Sequence, residues 1–277
     1  MVQMETDNPS VSVIIPVYNR ANTLLRAVES VRAQSFDDFE LLVVDDGSTD
    51  ALATVISSVL TEDTRVRVVC HETCRGAAAA RNTGIRNSRG KYVAFLDSDD
   101  EWLPTKLARQ IAYFIENPAR KVTTTAFHID RIDRRGSQLV VPNSRSAVSD
   151  LLTVCDLSPG STLVVERSIF ETIGEFDENF LRLEDWDWLL RCLRENPIYV
   201  LQDPLARIHV TGRGGDYRVV SAATRKLFVA HEQQIKLCGI VSLFKFRSSL
   251  AFERAVAAYF GGQKMLSIME YVRSLLI

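Results

Sequence analysis

Apolar segments alternate with helical patterns over the first hundred residues of the chain. The apolar segments are rich in Val, Ile, Leu and Phe, and we predict strands at 11–17, 39–44, 66–70 and 92–96. Apolar residues at helical spacing lie between them and predict helices at 22–34, 51–60 and 76–87. Strands that alternate with helices in this way form βαβ units, and right-handed crossovers place the loops that follow the strands along one sheet edge. The pattern predicts an α/β fold with a mostly parallel sheet flanked by helices.

Beyond residue 104 the pattern becomes less regular. Apolar spacing predicts helices at 107–117, 167–173, 183–195 and over much of 227–277. The β-rich segments that predict further strands are 121–129, 138–141, 160–165 and 207–210. A turn at 133–136 joins the first two of these strands into a hairpin at the sheet margin.

These patterns predict three parts of unequal size. A flexible N-terminal tail covers residues 1–9, and the sheet domain covers 10–215, with a first half at about 10–104 and a second at about 105–215. A helical C-terminal extension covers 216–277. Its amphipathic helices favour packing onto their own domain or onto a second copy of the chain, and contact with a membrane surface stays open as an alternative.

Carboxylates follow two of the predicted strands directly. Asp45 and Asp46 come after the second strand, and three aspartates in the segment Asp97-Ser-Asp-Asp100 come after the fourth. Because the carboxyl ends of parallel strands share one edge of the sheet, we expect both clusters to face the same crevice. Oxygen ligands packed this closely suit Mg²⁺ or Mn²⁺, whose usual partner is a substrate diphosphate. The alternative is a pair of acidic surface turns, and Asp100 is expected to cap the helix that follows.

Composition narrows the class of protein. The chain has 277 residues, of which 46% are hydrophobic and 25% charged, as in an ordinary globular enzyme. A net charge of −2 gives no bulk basicity for nucleic acid. The polar start lacks the apolar core of a signal peptide, and no uncharged apolar run approaches the roughly 20 residues that span a bilayer. Five scattered cysteines form no second pair for a zinc site, so we expect reduced cysteines and a cytoplasmic protein.

Four segments together resemble family 2 inverting glycosyltransferases, which have the GT-A type of nucleotide-sugar-binding fold. In chain order they are Val11-Ser-Val-Ile-Ile-Pro-Val-Tyr-Asn-Arg20, Val44-Asp-Asp-Gly-Ser-Thr-Asp50, Arg81-Asn-Thr-Gly84 with Phe95-Leu-Asp-Ser-Asp-Asp100, and Leu183-Glu-Asp-Trp-Asp187. Each segment is modest alone, but the ordered set is specific and covers about residues 9–210. The C-terminal helices match no feature of the family.

The resemblance implies that the first half of the domain, about 10–104, is the donor half and that the second, about 105–215, is the acceptor half. Pro16, Tyr18 and Arg20 match the loop that wraps the nucleobase and diphosphate, and Tyr18 is placed to stack on the base. Asp46 matches the carboxylate that hydrogen-bonds the base, and the competing interpretation for it is a turn or cap residue. Arg81 is implied to approach the sugar diphosphate, and its alternative is an ion pair.

The resemblance also implies metal ligands. Asp97 and Asp99 match the family's D-x-D, in which the first carboxylate contacts the ribose or a metal-bound water and the second ligates the metal. His209 falls where some members place a third metal ligand, although a lone histidine is as often structural. The implied cofactor is Mn²⁺ or Mg²⁺. A glycine-rich loop at 212–216 is a candidate cover for the site.

Asp185 matches the catalytic base of the family. Glu184 is a competitor that the local sequence does not exclude, and Asp187 is expected to point elsewhere on the helix. The implied reaction moves a sugar, with inversion, from a nucleoside diphosphate donor, expected to be UDP-linked, to a hydroxyl of a glycan or lipid-linked glycan in bacterial surface polysaccharide or glycoconjugate synthesis.

Three other classes of protein compete with this interpretation. A nucleotidyltransferase uses similar sheets, but a Gly-rich basic loop after the first strand is missing. A dinucleotide-binding dehydrogenase is disfavoured because no G-x-G-x-x-G follows that strand. A non-catalytic sugar-nucleotide-binding protein with the same fold is the third. The expected location is cytoplasmic, with peripheral contact at the inner face of the membrane as the open alternative.

Overall fold

A computed structural model describes residues 8–131, 136–210 and 215–276 of the chain. Its strands are β1 Val11–Val17, β2 Phe39–Asp45, β3 Val66–Cys70, β4 Tyr92–Phe95, β5 Glu101–Trp102, β6 Val122–Arg131, β7 Ser137–Val140, β8 Val164–Glu166 and β9 Tyr199–Val210. Its α-helices are α1 Ala21–Arg32, α2 Leu52–Glu62, α3 Ala77–Asn87, α4 Lys106–Glu116, α5 Pro159–Thr162, α6 Ser168–Ile173, α7 Glu184–Cys192, α8 Tyr217–Leu237, α9 Ile240–Phe260 and α10 Lys264–Leu276.

Three predicted features fall wholly or mainly outside the described residues. They are the N-terminal tail at 1–9, the hairpin turn at 133–136 and the glycine-rich candidate cover loop at 212–216. The division into a donor half, an acceptor half and an extension stays a prediction.

The described strands form one sheet in the order β3-β2-β1-β4-β8-β6-β9-β5, and β7 pairs with β6. Strands β3, β2, β1 and β4 are parallel neighbours, as the alternating pattern predicts. Every residue of β1 and of β4 is buried, because helices cover both faces of the sheet. The carboxyl ends of these strands therefore lie at one edge, where the acidic segments begin. Parallel pairing makes up most of the ladder, which confirms the predicted α/β class.

Residues 160–165 were predicted as one strand, and this was wrong. The segment holds the short helix α5 followed by β8, which pairs with β4 and β6. Pro159 stands at the start of α5, where its missing N–H costs nothing. The Thr162 hydroxyl donates to the backbone carbonyl of Leu157 over 2.5 Å, which closes the turn. This local hydrogen bond holds residues 159–162 in a helical turn, so the strand begins only at Val164.

Strand β9 is longer than the four residues predicted at 207–210. It begins at Tyr199 and runs parallel to β6, with register shifts on β6 between Thr125 and Phe127. The shifts lie opposite the polar and proline positions Gln202-Asp-Pro204, which interrupt the apolar pattern in the sequence. A bulge absorbs such residues without ending the strand.

The prediction that Asp100 caps a helix was also wrong. It is followed by strand β5, which pairs with β9, and α4 begins only at Lys106. The Asp100 carboxylate accepts hydrogen bonds from the backbone N–H of His209 at 2.9 Å and from the Ser161 hydroxyl at 2.5 Å. Asp100 therefore joins the segment after β4 to α5 and β9 instead of starting a helix.

The C-terminal helices share a hydrophobic core with the sheet domain. Leu227 of α8 and Phe246 of α9 belong to the same buried cluster as Ile14 of β1 and Trp186 of α7. The Trp186 and Phe246 rings meet edge to face with centroids 5.6 Å apart. This confirms that the helices pack onto their own domain. Within the described ranges, no helix is both long and apolar enough to cross a membrane.

Candidate active site

A cleft of about 590 Å³ opens at the carboxyl edge of the parallel strands. Its walls come from the segments after β1, β2 and β4, from α3, and from the start of α7. The residues that line it are Pro16, Val17, Tyr18, Arg20, Asp46, Cys74, Gly76, Ala77, Ala80, Arg81, Asp97, Ser98, Asp99, Arg182, Leu183, Glu184 and Asp185. Every residue that the sequence assigned to the site lies on this wall except His209. Residues spread over 170 positions of the chain thus meet at one edge.

The loop after β1 brings Tyr18 and Arg20 to the mouth of the cleft. Asn19 adopts a left-handed backbone, with φ of 49°, and its side-chain oxygen accepts a hydrogen bond from the backbone N–H of Thr49 at 2.8 Å. Asp50 accepts the N–H of Ala21, the first residue of α1, at 3.0 Å. These bonds tie the loop to the segment after β2. Tyr18 is left 45% exposed, with its ring free for stacking.

Asp46 is buried under the cleft floor and organises the loop that precedes α3. One carboxylate oxygen accepts from His71 Nδ1 at 2.7 Å and from the backbone N–H of Arg75 at 2.9 Å. The other accepts from the N–H of Gly76 at 2.7 Å and from Cys74 Sγ at 3.2 Å. Burial acts to raise the pKa of Asp46, but these hydrogen bonds outweigh it and lower the pKa. Contact with a nucleobase stays a prediction for Asp46, whose described partners all lie on this loop.

Arg81 joins the two sides of the cleft. Its guanidinium pairs with Asp97 after β4 and with Glu184 at the start of α7, each over 2.7 Å. Burial acts to lower the pKa of Arg81, but the charges of Asp97 and Glu184 outweigh it and raise the pKa. Arg81 Nε has no hydrogen-bond partner within the described residues. The predicted contact with a donor diphosphate is untested, and the ion-pair alternative is present in the structure.

Asp99 is paired with Arg20 across the mouth of the cleft, and Arg26 donates to its backbone carbonyl. Its side chain is 21% exposed, and that of Asp97 is 38% exposed. Two accessible carboxylates in a D-x-D segment fit a divalent ion that also binds substrate phosphates, since Mg²⁺ takes one or two carboxylates and completes its shell with phosphate and water. In the part of the chain that the structure describes, no three His, Cys, Asp or Glu side chains form a metal-binding group. The donor set therefore fits a shared ion, not a site built by protein alone.

His209 lies next to this region but does not line the cleft. Its Nε2 is 3.3 Å from Glu101 Oε1, and its backbone N–H bonds Asp100. It forms no three-ligand group with Asp97 and Asp99. Its role as a third metal ligand stays a prediction that this geometry does not favour.

Asp185 enters the cleft from the first turn of α7. Leu183, directly before the helix, has φ of 65°, a conformation that is costly for a bulky residue and turns the chain into the helix at this point. The Asp185 carboxylate accepts from the N–H of its neighbour Trp186 at 2.8 Å and has no other described hydrogen-bond partner. Burial, reinforced by the charge of Glu184, raises the pKa of Asp185 to about 6, against the opposing charge of Arg81.

Asp187 points away from the cleft, as its position two residues further along the helix predicts. One oxygen accepts from Arg191 Nε and the other lies 2.9 Å from His231 Nε2 on α8. The hydrogen bonds to Asp187 lower its pKa against the effect of burial. Asp187 therefore fixes α7 against the C-terminal helices.

Sequence reasoning missed three residues that shape the cleft. Arg182 adds a cation to the wall beside Asp185, and Cys74 lines the floor. Gly160 of α5 lies so close to Asp97 that a Cβ there would overlap the carboxylate. Arg182 directly precedes the motif segment 183–187, and this position in the sequence could have identified it as a cleft residue. The other two are brought in by loops whose course the local sequence does not determine.

A family model described as Glycosyl transferase family 2 matches residues 12–174. The chain belongs to this family. The segments that carried the resemblance to family 2 glycosyltransferases are the ones that line the cleft.

Relatives in the family come from several bacteria. An uncharacterized glycosyltransferase of Rickettsia felis is 32% identical over 216 residues, which cover 76% of this chain and 35% of the relative. The amylovoran biosynthesis glycosyltransferase AmsB of Erwinia amylovora is 30% identical over 229 residues, or 79% of this chain and 76% of the relative. The Escherichia coli UDP-Glc:alpha-D-GlcNAc-diphosphoundecaprenol beta-1,3-glucosyltransferase WfgD is 31% identical over 194 residues, 69% and 73% of the two chains. The chain spans about a third of the length of the Rickettsia felis relative.

Solved structures of glycosyltransferases share the fold. S. aureus TarS 1-349 in complex with UDP-GlcNAc superposes with a TM-score of 0.62 at 19% identity, over 95% of this chain and 89% of that one. Mannosyltransferase PcManGT from Pyrobaculum calidifontis, in complex with GDP-Man and Mn²⁺, gives a TM-score of 0.63 at 19% identity, over 98% and 75%. At this identity the likeness establishes the fold, which is the GT-A fold expected from the sequence.

Proposed function

We propose that this family 2 enzyme transfers a sugar, with inversion, from a UDP-linked donor to a hydroxyl of a growing bacterial surface glycan, with Asp185 as the general base. One observation carries the proposal. Asp185 is the one carboxylate of the first turn of α7 that lines the cleft without a described side-chain partner, and it faces the D-x-D carboxylates across the same cavity.

Glu184 is the weaker candidate for the base. Its carboxylate is held by Arg81 at 2.7 Å and its side chain is 11% exposed. A carboxylate held in an ion pair with a permanent cation is not positioned to accept a hydrogen bond from an acceptor hydroxyl with that oxygen. Asp185 has the environment that a base needs, since burial brings its pKa to about 6, near a neutral working pH.

The proposed reaction is a direct displacement at the anomeric carbon. Asp185 takes the proton of the acceptor hydroxyl as its oxygen forms a bond to the anomeric carbon, and the bond from that carbon to the diphosphate oxygen breaks with both electrons leaving on the diphosphate. Attack from the face opposite the leaving group gives a β-linked product from an α-linked donor.

The donor side is assigned to residues at the sheet edge. Tyr18 stacks on the base from the cleft mouth, and Arg20 exchanges its ion pair with Asp99 for the diphosphate. A divalent ion bound by Asp99 and Asp97 would neutralise charge that develops on the departing diphosphate. Buried donors and cations replace water around the leaving group and strengthen these interactions.

The substrate classes are proposed from relatives. WfgD is named for a UDP-glucose donor and a diphosphoundecaprenol-linked acceptor, and AmsB for biosynthesis of a polysaccharide. TarS was solved with UDP-GlcNAc in place. A UDP-linked donor and a glycan acceptor, free or lipid-linked, are the classes that these relatives favour here.

Product analysis tests the proposal. Purified protein is incubated with a panel of UDP-sugars and Mn²⁺ or Mg²⁺, and the nucleotide product and the anomeric configuration of the transferred sugar are read by nuclear magnetic resonance. Release of UDP with inversion is expected, at least as slow transfer to water. Release of pyrophosphate would identify a nucleotidyltransferase instead, and binding without turnover under every condition would favour the non-catalytic alternative.

Metal dependence has its own test. Asp99→Asn should weaken the stabilisation of the protein by UDP plus Mn²⁺ in thermal unfolding, while stabilisation by UDP alone changes little. Equal stabilisation of the wild type by UDP with Mn²⁺ or with a chelator would contradict the metal assignment.

A further inference from the structure

The C-terminal helices carry a charge opposite to that of the rest of the chain. Residues 217–277 contain nine Lys and Arg against three Asp and Glu, a formal charge of +6. Residues 1–216 contain 24 against 32, a formal charge of −8. A basic helical segment on an acidic body fits a partner with a negatively charged surface.

Helix α10 is amphipathic, but its polar face is turned toward the protein and its apolar face toward solvent. Its buried positions are polar, with Glu270 at 4% and Ser274 at 7% exposed. Glu270 accepts from Tyr217 at 3.0 Å and pairs with Arg254 of α9 at 3.1 Å. The outward stripe is apolar and follows helical spacing, with exposures from 44% to 74% at Met265, Ile268, Met269, Val272 and Leu275. A stripe of this kind left in water is costly, which indicates an apolar partner.

A pocket of about 370 Å³ between α8 and α9 has both basic and apolar residues in its walls. Its walls hold three arginines, a hydroxyl and an apolar surface, from Thr224, Arg225, Phe228, Val229, Arg247, Leu250 and Arg254. Arg254 is neutralised by Glu270, whereas Arg225 and Arg247 have no carboxylate partner within the described chain. The Arg247 guanidinium lies 5.1 Å from the Phe228 ring centroid. Two available guanidiniums over an apolar wall match an anion that carries a hydrocarbon chain.

We propose that the C-terminal helices dock on an anionic phospholipid bilayer, with a lipid phosphate in the Arg225–Arg247 pocket and the α10 stripe in the interface. Charge decides between a membrane and a second copy of this chain. A symmetric dimer through these helices would place two segments of +6 face to face, and like charges repel. Each basic residue near an anionic leaflet is instead stabilising. The inference stands on α8–α10 alone and does not depend on the proposed reaction.

Vesicle co-sedimentation of the full chain tests the proposal. Wild-type protein should bind vesicles of equal parts phosphatidylcholine and phosphatidylglycerol, and bind vesicles of phosphatidylcholine alone far more weakly. Arg225→Gln/Arg247→Gln should lower the partition coefficient roughly thirtyfold, since each basic residue at an anionic surface contributes about fivefold. The matched control Arg218→Gln/Lys245→Gln removes the same charge from exposed positions outside the pocket and should lower it less than about fivefold.

The apolar stripe has a separate variant. Ile268→Asp/Met269→Asp changes two exposed positions, so the fold should be kept in thermal unfolding while vesicle binding is lost. Equal losses in the pocket and control variants would overturn the pocket as the lipid site. If the wild-type protein does not bind anionic vesicles but is stabilised against thermal unfolding by inorganic phosphate, the pocket binds a free anion and the lipid proposal is overturned. The remaining outcome is a wild-type protein that is a dimer in light scattering and binds no vesicles. If Ile268→Asp/Met269→Asp then makes it a monomer, the stripe binds a second copy of the chain and the membrane proposal is overturned.

Discussion

The carboxylates at the sheet edge and the carboxylate of α7 line one cleft but differ in their partners. Asp46 is held by a loop, Asp97 by Arg81 and Asp99 by Arg20, so each has protein N–H or guanidinium groups around it. Asp185 accepts a bond only from the backbone of its neighbour within the described residues. Hydrogen bonds lower the pKa of Asp46, and the contacts of all three carboxylates suit binding. The fourth has a raised pKa and suits proton transfer.

Neighbouring groups, and not residue type, set the direction in which the pKa of an aspartate shifts in this cleft. Burial alone raises the pKa of a carboxyl group, while hydrogen bonds and cations lower it. When one cavity contains an environment that lowers a carboxyl pKa and another that raises it, the first suits a binding carboxylate and the second suits a general base.

Asp185→Asn should lower kcat about a thousandfold and leave the dissociation constant for UDP nearly unchanged, because an amide keeps the shape but accepts no proton. Steady-state kinetics and calorimetric UDP binding measure the two quantities. Glu184→Gln is the matched control and should keep kcat within about tenfold. If Glu184→Gln instead shows the larger loss, the two carboxylates have exchanged roles.

Arg81→Met should destabilise the protein by about 3 kcal/mol, because Asp97 and Glu184 would lose the cation between them. Chemical unfolding measures the change. Arg86→Met is the control, since Arg86 pairs with Glu175 at the surface, and should cost at most about 1 kcal/mol. A loss at Arg81 no larger than at Arg86 would contradict the structural role of the bridge.

The pH dependence of kcat/KM should show an acid limb near pH 6. Asp185 must be ionised to take a proton, so activity falls about tenfold per pH unit once the pH is below its raised pKa of about 6. Rates measured from pH 4.5 to 8 locate the limb. A limb near pH 4 would mean that the base has the ordinary pKa of an aspartate and is exposed to solvent.

Tyr18→Ala should weaken UDP binding about fivefold, since stacking of one base on an exposed ring contributes about 1 kcal/mol. Tyr18→Phe keeps the ring and should bind UDP as the wild type does. Calorimetry on both variants separates stacking from a hydrogen bond of the hydroxyl. Loss in the Phe variant as well would show that the hydroxyl, not the ring, binds the donor.

Local sequence determined the first half of the fold and most of the site wall. Short β-branched apolar runs that alternate with helical patterns indicate inner strands of a parallel sheet, and the aspartates that follow β2 and β4 then lie at one sheet edge. The placement of Pro16, Tyr18, Arg20, Asp46, Arg81, Asp97, Asp99 and Asp185 in one cleft follows from that rule and from the four motif segments. These features depend on patterns that repeat over a few residues.

The tertiary structure decided which partners these groups have. Arg81 meets Glu184 across 103 positions and Asp100 meets His209 across 109, and no local pattern encodes such contacts. The same holds for α5, where Ser158 has φ of 46° and a bond from Thr162 holds a helical turn. The inward polar face of α10 depends on an ion pair between Glu270 and Arg254 of another helix. Sequence patterns placed the carboxylates of Asp99 and Asp185 in one cleft, and only long-range packing gave Asp99 an arginine partner and left Asp185 buried without a described side-chain partner.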